Sequence, residues 1–386
     1  MRELTTASLV PFSPPAVGGD EIAAVVAALE SGWLTTGPRV KAFEAAFATY
    51  IGAPHAVALN SCTAALHLAI LAAGIGPGDE VITTPLTFCA TANTIIHAGA
   101  TPVFADVDPV TMNIDPEAIA AAITPRTRAV LPVHFAGRPV DVPAIRTVAG
   151  AHGLTVIEDA AHAVEAVSTA GKVGTTADFT CFSFYATKNL TTGEGGMLTT
   201  ASADHADYVR VAGLHGMSRD AWARYMPGAA GAYDVVMPGF KYNMMDLQAA
   251  IGMVQLRRLE SNLARRAAIW ARYEDAFADL PISLPAPPES GTRHARHLFT
   301  ILVDQAVCGW TRDSFREALR ARGVSTSVHF RALHLQPYYA DRFGFERGWF
   351  PAAEFVSDRT VSLPLSPALP DADVDAVIDA VRGVLA

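Results

Sequence analysis

The sequence predicts a three-layer α/β fold followed by a smaller α+β unit. Three observations predict it. Short apolar runs alternate with helical patterns between about residues 55 and 160. Those runs lack long polar alternation, as expected of parallel strands joined by crossover helices. From about residue 246 the text changes to one long helical pattern, a proline-rich connector and a mixed tail.

The elements follow in chain order. DEIAAVVAALES (20–31) reads as an amphipathic helix with Asp20 as its cap, SGWLTTGP as a turn, and residues 39–50 as a second helix. HAVALN (55–60) is a strand leading into SCTAALHLAILAAG, and EVITTP (80–85) leads into FCATANTIIHAG. TPVFADV (101–107) precedes DPEAIAAAI, RAVLPVHF (128–135) precedes VPAIRTVAGAHG, and LTVIEDA (154–160) follows. DLQAAIGMVQLRRLESNLARRAAIWARYEDAFADL holds a helical pattern without a proline, and PISLPAPPES ends it. HLFTILV and VSTSVHF are strand-like, TRDSFREALRARG is a helix with a glycine stop, and DADVDAVIDAVRGVLA is a final helix. The division this implies is 1–245 for a large domain with an N-terminal arm, and 246–386 for the linking helix and small domain.

Composition narrows the function. Of 386 residues, 51% are hydrophobic and 17% charged, enough for a sizeable core and too apolar for extensive disorder. The net charge of −9, without basic blocks, argues against a nucleic-acid or anionic-membrane surface. Four cysteines at 62, 89, 181 and 308 show neither CxxC nor metal-like spacing and read as reduced thiols. MRELTTASLVPFSPP has no apolar core of signal-peptide length, and no apolar run is long enough to span a bilayer, so a cytoplasmic location is expected.

Four features fall where strands end, the place at which open α/β sheets collect ligands. Ser61-Cys62-Thr63 sits at a helix start, as an ordinary cap or as a phosphate cradle. Asp159 closes the strand LTVIE; a buried carboxylate there needs a partner, such as a capped helix, an arginine, a metal or a cationic ring nitrogen. His162 follows three residues on. Phe88 follows EVITT, as core packing or as a lid over a flat ring. Lys188, in CFSFYATKNLTTGEGGMLTT with Ser183, has few charged neighbours; desolvation there would favour its neutral, nucleophilic amine. Singly each feature has an ordinary structural reading. Jointly they supply a phosphate cradle, an aromatic lid, an acid for a pyridinium and an amine for an aldehyde, the needs of pyridoxal 5′-phosphate (PLP).

PFSPPAVGGDE, ESGWLTTGP, NSCTAALHLA, GDEVITTPLTF, VIEDAAHA, FSFYATKNLTTGEGGM and GFKYNMMDLQAAIGMVQL carry a resemblance to the DegT/DnrJ/EryC1/StrS aminotransferases. The resemblance implies PLP fold type I and transfer of an amino group from L-glutamate to a nucleotide-activated ketosugar. It implies Lys188 as the Schiff-base lysine, Asp159 at the pyridine nitrogen, His162 at the ring 3-hydroxyl and Phe88 stacked on the ring. Ser61, Cys62, Thr63 and Ser183 would hold the phosphate. Asn243 would be donated across a homodimer with shared active sites. SVHFRALHLQPYYADRF looks most like enzymes acting on 4-keto sugars, UDP-4-keto-pentoses among them. A 3-ketosugar or cyclitol acceptor stays open, as does a non-catalytic relative of the fold. His329 resembles an active-site histidine of the family, and Arg331 and His334 are expected at the nucleotide. Two positions depart from the family's pattern: Cys62 stands for its usual Gly or Ala, and Glu165 for its usual Gly. Glu165 is expected either to alter the loop or to point outward.

Overall fold

The computed structural model describes residues 9–218 and 233–385; residues 1–8 of the N-terminal stretch read for a leader lie outside them. The strands in chain order are β1 (His55–Leu59), β2 (Glu80–Thr83), β3 (Thr101–Phe104), β4 (Thr127–Leu131) and β5 (Thr155–Asp159). Then come a small hairpin, β6 (Val167–Ser168) and β7 (Gly171–Lys172), and two further strands, β8 (Phe179–Ser183) and β9 (Gly196–Thr200). One seven-stranded sheet has the order β1-β9-β8-β5-β4-β2-β3. Its pairings from β3 through β8 are parallel, and only β9 runs against its neighbours.

Successive residues of a strand point to opposite faces, and the packing follows that period. Val81, Ala129, Leu131, Ile157, Phe179, Cys181 and Leu198 join one core with the helix Cys62–Ala72. Their neighbours Ile82, Val130 and Val156 join a second core on the other face, and Phe182 and Met197 a third. The helices of this part are α1 (Gly19–Glu30), α2 (Pro38–Ile51), α3 (Cys62–Ala72), α4 (Cys89–His97), α5 (Pro116–Ala121), α6 (Val142–His152) and α7 (Ala203–Ala212). Helix α3 is apolar around most of its girth because it is covered on nearly all sides: eight of its residues are buried. Each fully buried Leu or Ile in it contributes about 1.5–3 kcal/mol. The structure differs from expectation at α1, which Gly18 caps, leaving Asp20 in the first turn where its charge meets the helix dipole.

Helix α8 (Asp246–Phe277) is the long helix read from the sequence. Its first half packs Ala249 and Leu259 into the core around Phe43 and Phe184. Its second half gives Ile269, Trp270, Tyr273 and Phe277 to a separate core. That core is completed by the antiparallel pair β10 (Phe299–Leu302) and β11 (Thr360–Leu363). The remaining helices are α9 (Gln305–Cys308), α10 (Arg312–Ala321), α11 (Pro337–Phe343), α12 (Pro351–Arg359) and α13 (Asp371–Leu385). The strand-like VSTSVHF forms only isolated bridges, Val324 to Val10 and Ser327 to Ser362. Among the described residues no helix is long and apolar enough to cross a membrane.

Candidate active site

The carboxyl ends of β1, β2, β5 and β8 converge on a cavity of about 470 Å³, within the range of small-molecule sites. Ser61, Cys62, Thr63, Phe88, Asp159, His162, Ser183 and Lys188 all line it, as do His329 and Phe330 from the later part of the chain. The parallel sheet is what brings them together, since each strand delivers its last residues to the same edge.

Asp159 ends β5, tied on both sides by main-chain bonds: its N–H donates to Pro132 O (2.9 Å), and its carbonyl accepts from His134 N (3.1 Å). Its buried carboxylate accepts from Thr91 Oγ1 (2.8 Å) and from the N–H of Ala161 (3.1 Å). Burial pushes its pKa up; Thr91, Ala161 and Lys188 pull against that. A cation in the cavity would therefore find a carboxylate short of positive charge.

Lys188 lies in the loop between β8 and β9, its N–H bonded to Tyr185 O at 2.9 Å. Burial pushes the ammonium down to about 8, and Asp159 and Cys62 only partly restore it. A sizeable neutral fraction near neutrality is the prerequisite for a nucleophilic amine.

The loop is held close by two glycines. An added Cβ on Gly196 would sit 2.4 Å from Ser61 C and 2.5 Å from Cys62 N, and one on Gly195 would sit 2.2 Å from Thr192 Oγ1. Glycine thus lets β9 touch the start of α3. There Ser61 caps the helix by accepting from Ala64 N at 3.1 Å. Cys62 is buried, its Sγ 3.6 Å from Cys181 O, and Thr63 is exposed. Ser183 Oγ accepts from Tyr185 N at 3.3 Å.

His162 is buried, with Nδ1 unpartnered among the described residues, and its ring lies parallel to Phe330 (13°, centroids 6.1 Å apart). Burial, with Lys188, His297 and His329 nearby, holds it well below the usual imidazole range. Phe88 is 60% exposed, unusual for a Phe, and borders the open side of the cavity. His329 Nδ1 lies 2.8 Å from Ser362 Oγ, and burial pushes its pKa down to about 3.

Three expected residues lie elsewhere. Arg331 is exposed, bonded to Leu335 O at 3.0 Å. It lines an adjoining cavity of about 950 Å³ that shares Thr87, Phe88, His329 and Phe330 with the first. His334 is fully buried with Nε2 2.9 Å from Glu354 Oε1, so it faces neither cavity. Burial has turned a polar segment inward around that pair. Asn243 lines a different cavity, of about 720 Å³, and its Nδ2 donates to Thr36 Oγ1 at 2.6 Å. That cavity is larger but holds neither Lys188 nor Asp159 and has no evident chemistry of its own. Glu165 does not point outward; it is fully buried against Arg266.

Sequence reading missed Thr91, His297 and Phe330. Thr91 stands three residues after Phe88 on the first turn of α4, a spacing that places both near one helix end. Nothing in the sequence ties His297 to a strand end 138 residues earlier; only folding joins them.

These residues fit PLP. Asp159 suits a cationic ring nitrogen, the unpartnered His162 Nδ1 a ring oxygen, the start of α3 a phosphate, and Lys188 an aldehyde. Comparison with known proteins agrees. The chain is 53% identical over 377 residues to the spore coat polysaccharide biosynthesis protein SpsC of Bacillus subtilis, covering 97% of each. It superposes on Spr1654 of Streptococcus pneumoniae, solved in a PLP form, with a TM-score of 0.89, 34% identity and coverage of 98% and 100%. It superposes on the sugar aminotransferase CalS13 of Micromonospora echinospora with a TM-score of 0.86, 32% identity and coverage of 97% and 100%. A PLP-dependent aminotransferase of fold type I is what these likenesses and the cavity describe, and the chain belongs to the DegT/DnrJ/EryC1/StrS aminotransferase family, whose model matches residues 15–382.

Proposed function

We propose that this enzyme moves an amino group from L-glutamate to a nucleotide-activated ketosugar, most simply a 4-keto sugar, in two half-reactions of ping-pong type. The observation that carries the reading is the adjacency of two cavities. The one holding Lys188 and Asp159 shares Thr87, Phe88, His329 and Phe330 with the one holding Arg331. A sugar ring in the first would leave a diphosphate and base room in the second, with Arg331 supplying positive charge. The kinds of protein the chain resembles, a polysaccharide biosynthesis protein and a sugar aminotransferase, support the sugar.

When bound, PLP supplies an electron-accepting ring and an aldehyde that carries the amino group between the two substrates. The chain's own residues do the rest. Asp159 would hold the ring nitrogen protonated. His162 would orient the ring from its 3-hydroxyl side, and Phe88 would cover its open face. Ser61, Cys62, Thr63 and Ser183 would fix the phosphate, chiefly through N–H groups at the start of α3. Lys188 Nζ would carry a proton from the donor's carbon to the cofactor's carbon in the first half-reaction, and from the cofactor's carbon to the acceptor's carbon in the second.

Asn243 bears on the assembly. It lies outside its own chain's catalytic cavity, in a cavity lined by α2 and α7 residues. The reading includes a homodimer with shared sites, in which a second copy packs over that cavity and takes Asn243 at its phosphate.

The test is a panel of nucleotide 4-keto and 3-keto sugars with L-glutamate as donor, the product's amine position being assigned by NMR. A 4-amino product supports the reading; amination only of a 3-keto sugar or a cyclitol ketone overturns the acceptor.

A further inference from the structure

Behind the wall of the catalytic cavity lies a buried ion pair that the chemistry above does not use. Glu165 follows β5, and Arg266 comes from the middle of α8; Arg266 Nη2 donates to Glu165 Oε1, and the Arg266 and Glu165 side chains are 2% and 0% exposed, respectively. Taking both ions out of water is costly, and an apolar pair of the same volume is often at least as stable. Stability alone therefore gives no reason for the pair.

Its second oxygen shows where it leads. Glu165 Oε2 accepts from Asn189 Nδ2 at 2.7 Å, and the same nitrogen donates to Ala295 O at 3.0 Å. Both amide hydrogens of Asn189 are spent on oxygens that can only accept, which fixes which end of the amide is nitrogen. Asn189 Oδ1 then faces His297 Nδ1 at 2.8 Å. An amide oxygen only accepts, so Nδ1 carries the proton. Burial, with Lys188 and other cations around it, keeps this imidazole well below its usual range and hence neutral. Its Nε2 is left with a lone pair. The His297 ring lines the catalytic cavity with its centroid 4.3 Å from that of His162, and Asn189 directly follows Lys188.

We infer that Glu165 is a positioning residue: held by Arg266, it orients the Asn189 amide and thereby sets His297 in the Nδ1–H tautomer, so that the wall beside Lys188 and His162 offers a neutral ring with an unprotonated Nε2. The purpose rests on the cofactor reading above; the tautomer is a property of the chain. Glutamine cannot replace glutamate here. Arg266 would take the glutamine oxygen and turn its NH₂ toward Asn189. The Asn189 amide escapes that NH₂-to-NH₂ clash by flipping, which gives up its bond to Ala295 O, presents its own NH₂ to His297 Nδ1 and puts the proton on Nε2.

The experiment is ¹⁵N-histidine NMR of the full chain, with and without PLP, combined with steady-state kinetics. Wild type shows His297 as Nδ1–H. E165Q shows it shifted to Nε2–H, with kcat lower by about tenfold or more and KM for the donor within about threefold. E165Q/R266M, in which Met fills the volume of Arg and frees the new amide oxygen for Asn189, returns to Nδ1–H and recovers kcat to within about threefold. An unchanged tautomer in E165Q overturns the proposal. So does an E165Q/R266M enzyme that is folded and Nδ1–H yet as slow as E165Q. Where E165Q does not fold, N189L leaves the ion pair and removes the acceptor: loss of the Nδ1–H preference supports the role, and its persistence sinks it. Failure of the wild type to bind PLP by absorbance would sink the cofactor reading instead, and the tautomer spectra, recorded without PLP, would still decide the network.

Discussion

Thr91 Oγ1 donates to Asp159 Oδ2 at 2.8 Å and itself lies 2.8 Å from Thr87 Oγ1. Because the Thr91 proton is committed to the carboxylate, Thr87 must be the donor to Thr91, giving a one-way chain that ends on the acid. Thr91 is the largest influence holding the Asp159 pKa down against burial. Thr91→Val keeps the shape and removes the donor. A hydrogen bond to a charged group contributes about 1.5–3 kcal/mol, so kcat/KM should fall by about tenfold or more. Thr91→Ser should retain most of the activity. Kinetics of the two variants side by side check this, and equal rates would remove Thr91 from the argument.

Lys188 gives a pH prediction. Its ammonium is pushed down to about 8 in the folded chain, against about 10.4 in an unfolded one. Between those values the unfolded chain binds more protons, so the cofactor-free protein gains stability as pH rises from about 8 toward about 10, where other groups do not intervene. The neutral amine rises over the same midpoint. The rate at which PLP is captured should therefore rise with pH and bend to a plateau near pH 8, and Asp159→Asn, which removes an influence raising the Lys188 pKa, should move that bend lower. Stopped-flow absorbance against pH measures both. A bend that stays at the ordinary lysine value would show that the side chain is solvated.

Lys188→Ala should still take up PLP non-covalently but lose turnover, since the variant lacks both the amine for the aldehyde and the proton carrier. Borohydride reduction followed by peptide mapping should tag position 188 in the wild type and nothing in the variant. Retained turnover in the variant would contradict the assignment.

Arg331 and His334 were expected to act together and should behave oppositely. Arg331 is exposed beside the adjoining cavity, so Arg331→Ala should leave stability within about 0.5 kcal/mol and raise KM for the nucleotide sugar. His334 is buried against Glu354, so His334→Ala should cost about 1.5–3 kcal/mol by taking one hydrogen bond from that carboxylate, which keeps the N–H of Gly348. The KM of His334→Ala should stay near that of the wild type. Urea melts and KM values separate the two patterns.

What could be read before folding was what local pattern encodes. Alternating apolar runs and helices gave the β2-to-β5 strands and the crossover helices, and the strand-end rule placed Asp159 and Phe88 at one edge. Lys188 was legible from its lack of charged neighbours. What could not be read was pairing across the chain. Glu165 meets Arg266 from 101 residues away, and no feature near Glu165 announces a buried cation. His334 was misplaced for the same reason: its partner Glu354 lies 20 residues on, in α12, and closes over it only in the folded state. VSTSVHF has strand-like composition but makes a single backbone bridge to β11, Ser327 to Ser362, and its last two residues, His329 and Phe330, line the cavity.

The glycines after Lys188 differ in what surrounds them. Gly193 has φ of +79° and open space around its Cβ direction, so Gly193→Ala meets only the cost of a left-handed alanine, about 1–2 kcal/mol. Gly196 differs: its added Cβ meets Ser61 and Cys62 main chain at 2.4–2.5 Å, and backbone cannot rotate away as a side chain can. Gly196→Ala must push β9 off the start of α3, an overpacking cost of about 1–3 kcal/mol. The two variants should thus lose similar stability in urea melts while differing in cofactor affinity. Gly193→Ala should bind PLP nearly as the wild type does, and Gly196→Ala should bind it at least tenfold more weakly, since the displaced segment is the one assigned to the phosphate. Equal affinities in a fluorescence titration would mean that the phosphate is held elsewhere.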